Sequence, residues 1–229
     1  MEQLPEEPER LREAYAYPDG RVWVRANMVA SVDGAATRDE RSGGLGNASD
    51  RRLFATLRGL ADVVIVGAGT ARAEGYGPAQ PGPGGRAPRL AIVSRRLDLD
   101  FEAPLFTDAR ERTILLAPEN APANRLWRAR ENADVILAGE ERLDFAVAIR
   151  ELASHGFSRI LCEGGPRILA QLVTAGVLDE LCLTVSPVLL AGDGPRIVNG
   201  PPALKPAELR LSHAFRDDED FLFLRYCRR

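Results

Sequence analysis

The sequence predicts an α/β fold: one mostly parallel central sheet, covered by helices on both faces, with an antiparallel C-terminal hairpin. Three observations carry this. Short unbroken apolar runs, such as DVVIVG at 62–67 and RILC at 159–162, suit strands buried on both faces. They alternate with helical patterns, the rhythm of a parallel sheet with crossover helices. The last two strand-like runs, 208–215 and 221–227, flank the acidic loop 216–220 and read as a hairpin.

Residues 4–15 read as a short charged helix. Residues 1–20 are expected as a surface appendage to a core spanning 22–227, and all 229 residues as one domain. Residues 22–31 (VWVRANMVAS) form a strand ending at the turn dipeptide Asp33-Gly34. Residues 38–48 are polar and glycine-rich, a loop. Ser49 or Asp50 then caps a helix to about Gly59, with Leu53, Phe54 and Leu57 on one face. Strand 62–67 leads to a short helix over 68–74. Residues 76–88, rich in proline and glycine, form a loop before strand 90–94. The second half gives strand 113–117, helix 121–131, strand 134–137 and helix 145–154, stopped by Gly156. Strand 159–162, helix 166–175 and a long strand over 180–190 follow.

Composition narrows the chemistry. Thirty basic against 33 acidic side chains give a net charge of −3, with no basic excess for a nucleic-acid backbone. Lys205 is the only lysine, and no GxxxxG precedes it, which excludes a P-loop. Two histidines, His155 and His213, and the scattered Cys162, Cys182 and Cys227 have no metal-ligand spacing. No metal is therefore expected, and a bound organic cofactor should carry any reaction. His155 reads as a helix cap, His213 as a strand residue, and Cys162 and Cys182 as small core side chains. No apolar run reaches the roughly 18 residues of a membrane span. The acidic start is unlike a signal peptide, and the cysteines read as reduced. The expected compartment is the cytoplasm.

Two strand–glycine–helix joints stand out. One is VGAGT, with Gly67, Gly69 and Thr70. The other is CEGGPRIL, with Glu163, Gly164, Gly165, Pro166, Arg167, Ile168 and Leu169. Glycine lets a phosphate approach the backbone, and a helix start offers free N–H groups. Each joint taken alone also serves as an ordinary tight turn. Ser94-Arg95-Arg96 after a strand suits the 2′-phosphate of NADPH or is simply a solvated arginine pair.

Together, ANMVASVDG, LRGLADVVIVGAGTARAEGYGP, RLAIVS and ILCEGGPRILAQLVTAGVLDELCLTVSPVLLAG resemble the pyrimidine reductase family of riboflavin biosynthesis. The resemblance implies a three-layer fold like that of dihydrofolate reductase, here as a stand-alone reductase without the zinc-bearing deaminase. It implies NADPH as cofactor and a phosphorylated pyrimidine as substrate, its ribosyl group reduced to ribityl. No nucleic-acid or membrane partner is implied; a homodimer is. By position, Thr70, Glu74, Ser94 and residues 165–171 would contact the cofactor, with Val29 beside the nicotinamide. Ser42, Arg58 and Glu163 would contact substrate, Arg58 its phosphate. Asp33 is the candidate proton relay, or else only a cap of its turn. Arg58 is otherwise an exposed residue favoured at a helix C-terminus.

The sequence departs from the family at two places. Asn27 stands where the family carries lysine, and Gly44 stands near the family's tryptophan. Asn27 keeps hydrogen bonding without charge. These departures admit a second reading, reduction of a related pterin or pyrimidine such as dihydrofolate. A third is an NADPH-binding module without turnover.

Overall fold

The computed structural model describes residues 1–82, 87–201 and 205–229. Its strands are β1 (Glu2–Gln3), β2 (Trp23–Ser31), β3 (Val63–Gly67), β4 (Arg89–Val93), β5 (Ile114–Ala117), β6 (Asp134–Leu137), β7 (Arg159–Cys162), β8 (Glu180–Ser186), β9 (Leu209–Arg216) and β10 (Leu222–Arg228). Its helices are α1 (Pro8–Ala14), α2 (Ala48–Leu60), α3 (Ala68–Ala73), α4 (Pro104–Thr107), α5 (Ala123–Asn132), α6 (Phe145–Ser154) and α7 (Pro166–Thr174). The strands form one sheet in the order β1-β9-β10-β8-β2-β7-β3-β4-β5-β6. Every pairing is parallel except those of β10, which runs against both β8 and β9.

The sheet separates two apolar layers. On one face Leu11 of α1, Leu53 and Leu57 of α2, Ala71 of α3 and Ala129 of α5 pack on Val64, Val66, Leu161 and Cys182. On the other, Phe145, Ala148 and Leu152 of α6 and Leu169 and Leu172 of α7 pack on Val63, Ile65, Ile160 and Cys162. The alternation of partners along β3 and β7 is the two-residue period of a strand covered on both sides. Among the described residues no helix is long and apolar enough to cross a membrane.

Several expectations shift. Residues 1–20 are no appendage: β1 adds to the sheet beside β9, and Leu4, Leu11 and Tyr15 are buried in the core. The charged pattern hid three apolar side chains that face inward together. The cap of α2 is Asn47, whose Oδ1 accepts from Asp50 N at 3.0 Å, rather than Ser49 or Asp50. Strand β8 stops at Ser186, because Pro187 has no N–H for the ladder and Val188 N turns back to Ser186 O. A one-turn 3-10 helix, Gly43–Leu45, interrupts the loop over 38–48. The short helix α4 was not expected. Part of the loop expected over 76–88 lies outside the described residues.

Beneath α1, a charged network crosses the sheet. Glu180, wholly buried, accepts from Arg25 Nε at 2.7 Å, Arg225 Nε at 2.8 Å and Trp23 Nε1 at 2.8 Å. His213 packs edge-on against Tyr15, with centroids 5.1 Å apart, and beside Phe215. Burial, followed by the Arg225 charge, lowers its pKa to about 4. Its folded pKa thus lies below the ordinary value near 6.5, so the unfolded chain binds the proton first as pH falls. Stability should therefore fall between about pH 6.5 and 4, by at most about 1.4 kcal/mol per pH unit, less for partial solvent screening. His213→Phe should flatten that limb relative to wild type in urea titrations. Parallel limbs in the two proteins would remove His213 as the cause.

Candidate active site

Sequence-distant joints meet at the carboxyl ends of β3 and β7. Gly67 N donates to Gly164 O at 2.8 Å, fastening the VGAG joint to the EGGP joint. Gly164 has a φ of +90°, which only glycine adopts without strain. A Cβ placed on Gly165 would lie 2.5 Å from Thr70 Oγ1, and one on Gly67 would lie 3.1 Å from Ile168 Cγ1. The two joints therefore need their missing side chains to lie this close. Among the described residues no side chain caps α3 at Gly67 or α7 at Gly165, and Pro166 opens α7 without an N–H to satisfy. Uncapped helix starts beside bare backbone make a cradle that could hold an anion.

The predicted cofactor residues divide. Gly67, Thr70, Gly164, Gly165 and Pro166 converge on this cradle. Gly69 has open space where a Cβ would be. Arg167 is exposed on the first turn of α7, whereas the side chains of Ile168 and Leu169 belong to the core and leave only backbone for a ligand. Ser94 is buried after β4, and Arg95 beside it is exposed. Val29 is half-buried on β2, paired with Thr184 of β8. Glu74 ends α3 and binds the protein itself: its Oε1 accepts from Ser42 N at 2.8 Å and Ser42 Oγ at 2.9 Å. This contact ties the loop over 38–48 to the cradle.

Two of the predicted substrate residues, Arg58 and Glu163, form a second group on the α2 side of the sheet. Arg58 donates from Nε and Nη2 to the two carboxylate oxygens of Glu163, at 2.6 and 2.7 Å. Tyr76 Oη donates to the same carboxylate at 2.6 Å, and Phe54 lies under the guanidinium at 4.3 Å. Burial opposes the Arg58 charge, but Glu163 more than offsets it and raises the pKa. Burial, then the Glu163 charge, holds the Tyr76 hydroxyl protonated above its ordinary range. Arg58 is thus neither free nor merely a helix-end residue; its planar fork is committed to Glu163. Asn27 sits on β2 opposite Cys182, and its buried Oδ1 has no hydrogen-bond partner among the described residues.

Asp33, the candidate proton relay or turn cap, binds one hydroxyl and two backbone N–H groups. Its carboxylate accepts from Ser31 Oγ, from Leu190 N at 3.1 Å and from Ala191 N at 2.7 Å, joining the loops that follow β2 and β8. The Ser31 hydroxyl, then Ala191 N–H, hold its pKa below the usual carboxylate range. Such a group is ionised at neutral pH and anchors backbone. Sequence reasoning missed Tyr76, placed in a featureless loop, and Asp50, considered only as a cap. Asp50 carried a signal: it falls on the helical stripe with Leu53 and Leu57, where an apolar residue is the norm.

The family model described as the RibD C-terminal domain matches residues 22–223. A relative from Aquifex aeolicus named 2,5-diamino-6-ribosylamino-4(3H)-pyrimidinone 5′-phosphate reductase is 30% identical over 187 residues, covering 79% of this chain and 84% of its own. A protein of the same name from Archaeoglobus fulgidus is 25% identical over 201 residues, covering 82% and 91%. The crystal structure of a pyrimidine reductase-like protein from Corynebacterium diphtheriae superposes with a TM-score of 0.85 at 26% identity, covering 96% of this chain and 98% of that one. The riboflavin biosynthesis reductase of Saccharomyces cerevisiae, at 15% identity, shares the fold with a TM-score of 0.73, covering 97% and 99%.

Proposed function

Because the chain belongs to the RibD C-terminal domain family, we propose that it is an NADPH-dependent reductase of riboflavin biosynthesis. Its substrate would be a 5-amino-6-(5-phosphoribosylamino)pyrimidine, and its product the ribityl compound. The observation that carries this is the fastening of the two glycine joints by Gly67 and Gly164, with the Arg58–Glu163 group on the same sheet. The relatives named as pyrimidinone phosphate reductases support the same reading.

The donor set fits a dinucleotide phosphate. Backbone of Gly164 to Leu169 would hold the pyrophosphate at the start of α7, with Thr70 against Gly165. Ser94 and Arg95 would take the 2′-phosphate, the feature that selects NADPH over NADH. Val29 would flank the nicotinamide. When bound, the cofactor supplies a hydride for the first carbon of the opened sugar.

The chain's own residues orient and enclose. Glu163, fixed by Arg58 and Tyr76, presents a set carboxylate to sugar hydroxyls without rotamer freedom to lose on binding. Arg58 retains N–H groups beyond those given to Glu163 and would meet the phosphate. Glu74 holds Ser42 in place for the substrate. Asp33 keeps the loops after β2 and β8 together, and we assign it no proton. The three free cysteines support a reducing compartment, the cytoplasm. The expected assembly is a homodimer.

The test follows NADPH oxidation with the 2-amino and deaminated phosphoribosylamino pyrimidines and dihydrofolate in parallel. Oxidation with a pyrimidine and none with dihydrofolate is expected. Gly165→Val should weaken NADPH binding about tenfold or more, because a side chain there displaces Thr70 and fills the cradle. Tight NADPH binding with no oxidation of any substrate would leave only a binding module, and unchanged affinity in Gly165→Val would move the pyrophosphate elsewhere.

A further inference from the structure

The reductase reading leaves one charged group on the α2 face without a role. Asp50 lies in the first turn of α2, and its carboxyl folds back over Gly46, so close that a Cβ there would collide with Oδ2. Asp50, Phe54 and Arg58 are spaced four residues apart and share one stripe of the helix. The carboxyl lies beside the Thr184 hydroxyl, whose residue is 1% exposed. Thr184 pairs with Val29, and Asn27 lies two residues earlier on the same face of β2. Thr184 Oγ1 and Asn27 Oδ1 are both buried, and neither closes a well-formed hydrogen bond among the described residues. Buried polar atoms are nearly always satisfied, so two on one sheet face near a half-buried carboxyl mark where a ligand's polar edge completes the set. Partial burial holds the Asp50 carboxyl above its ordinary range, against the pull of the Thr184 hydroxyl and the Arg51 charge.

A carboxylate offers two parallel acceptors. It matches a ring edge that offers two parallel donors. A 2-amino-4-oxopyrimidine has such an edge, N3–H beside the 2-amino group. The deaminated ring instead places N3–H between two carbonyl oxygens, and one of these would face a carboxylate oxygen. We propose that Asp50, beside Thr184, binds the N3–H and 2-amino edge of the pyrimidine and so makes this enzyme specific for the 2-amino substrate over the deaminated one. This rests on the reductase reading above. Arg58 sits two turns along the same helix, about 12 Å away, at the phosphate end of the substrate. The Asn27 carboxamide adds a neutral donor and acceptor to the same face, where a lysine would crowd the donor edge with a third donor.

The experiment compares kcat/KM for the two phosphoribosylamino pyrimidines in wild type, Asp50→Asn and Thr184→Val. Wild type should prefer the 2-amino substrate about 100-fold or more, as sites built around a substrate N–H do. In Asp50→Asn the carboxamide offers one acceptor and one donor, which suits the deaminated edge. The preference should collapse to within about tenfold or invert, with the KM for NADPH unchanged. Thr184→Val should weaken the preference in the same direction. A parallel readout is calorimetric binding of 2,5,6-triaminopyrimidin-4-one and 5,6-diaminouracil to the NADPH complex, which needs no turnover. An Asp50-dependent difference in binding without turnover would keep this proposal and sink the reductase reading. Turnover with equal losses on both substrates, or with none, would sink the proposal and keep the reading. Absence of both binding and turnover would sink both. A dihydropterin shares the same edge, and its binding with an equal Asp50 dependence but no reduction would place the selection for the monocyclic substrate elsewhere in the site.

Discussion

Glu180→Leu should unfold at markedly lower urea concentration than wild type, a loss of about 3–5 kcal/mol. Glu180 is 0% exposed, and its carboxylate faces Arg25, also 0% exposed, and Arg225, 13% exposed. Burial alone would raise its pKa, but Arg25 and then Arg225 bring it below the ordinary value. Removing the carboxylate leaves two guanidinium groups in the interior with no counter-charge, and desolvation of each is no longer offset. The Trp23 indole N–H loses its acceptor as well. Replacing Arg25, Glu180 and Arg225 together by apolar residues of similar volume should cost far less than the single change, because no uncompensated charge remains. A single substitution no worse than the triple one would show that the network contributes packing rather than charge pairing.

Arg58→Ala should lower kcat/KM for the phosphorylated substrate about 100-fold or more, through a raised KM, while the KM for NADPH moves little. Truncating one partner of a buried charged pair typically costs about 2–5 kcal/mol, and about 1.4 kcal/mol is a factor of ten. The truncation also frees Glu163, whose side chain is 2% exposed, to lose its fixed position. Arg58→Lys should recover little, since an ammonium cannot hold both carboxylate oxygens in one plane. Equal increases in both Michaelis constants would remove Arg58 from the phosphate and leave it as scaffolding for the cradle. Tyr76→Phe removes one neutral donor from the same carboxylate and should cost less.

The division between sequence and structure follows the range of the forces involved. Local patterns were legible. Helix 145–154 and strand 159–162 matched to the residue, because apolar period and a glycine stop are properties of adjacent residues. The two glycine joints were visible for the same reason. Their meeting was not: Gly67 and Gly164 are 97 positions apart, and only the parallel pairing of β3 and β7 brings their backbones into hydrogen-bond contact. The role of residues 1–20 was hidden because Leu4, Leu11 and Tyr15 face inward from a segment dominated by charge.

The opposite fates of the aspartates make the point most sharply. Asp33 and Asp50 have the same side chain, and each stands beside a turn or helix start in the sequence. In the fold, Asp33 accepts N–H groups from the loop after β8, while Asp50 lies half-buried beside Thr184. By itself the sequence determined the α/β architecture, the family and the positions of the glycine joints, because these rest on local pattern and on motifs. Tertiary structure alone decided which carboxyl anchors a loop and which lies half-buried against the sheet, because hydration and hydrogen-bond partners are set by residues more than a hundred positions away.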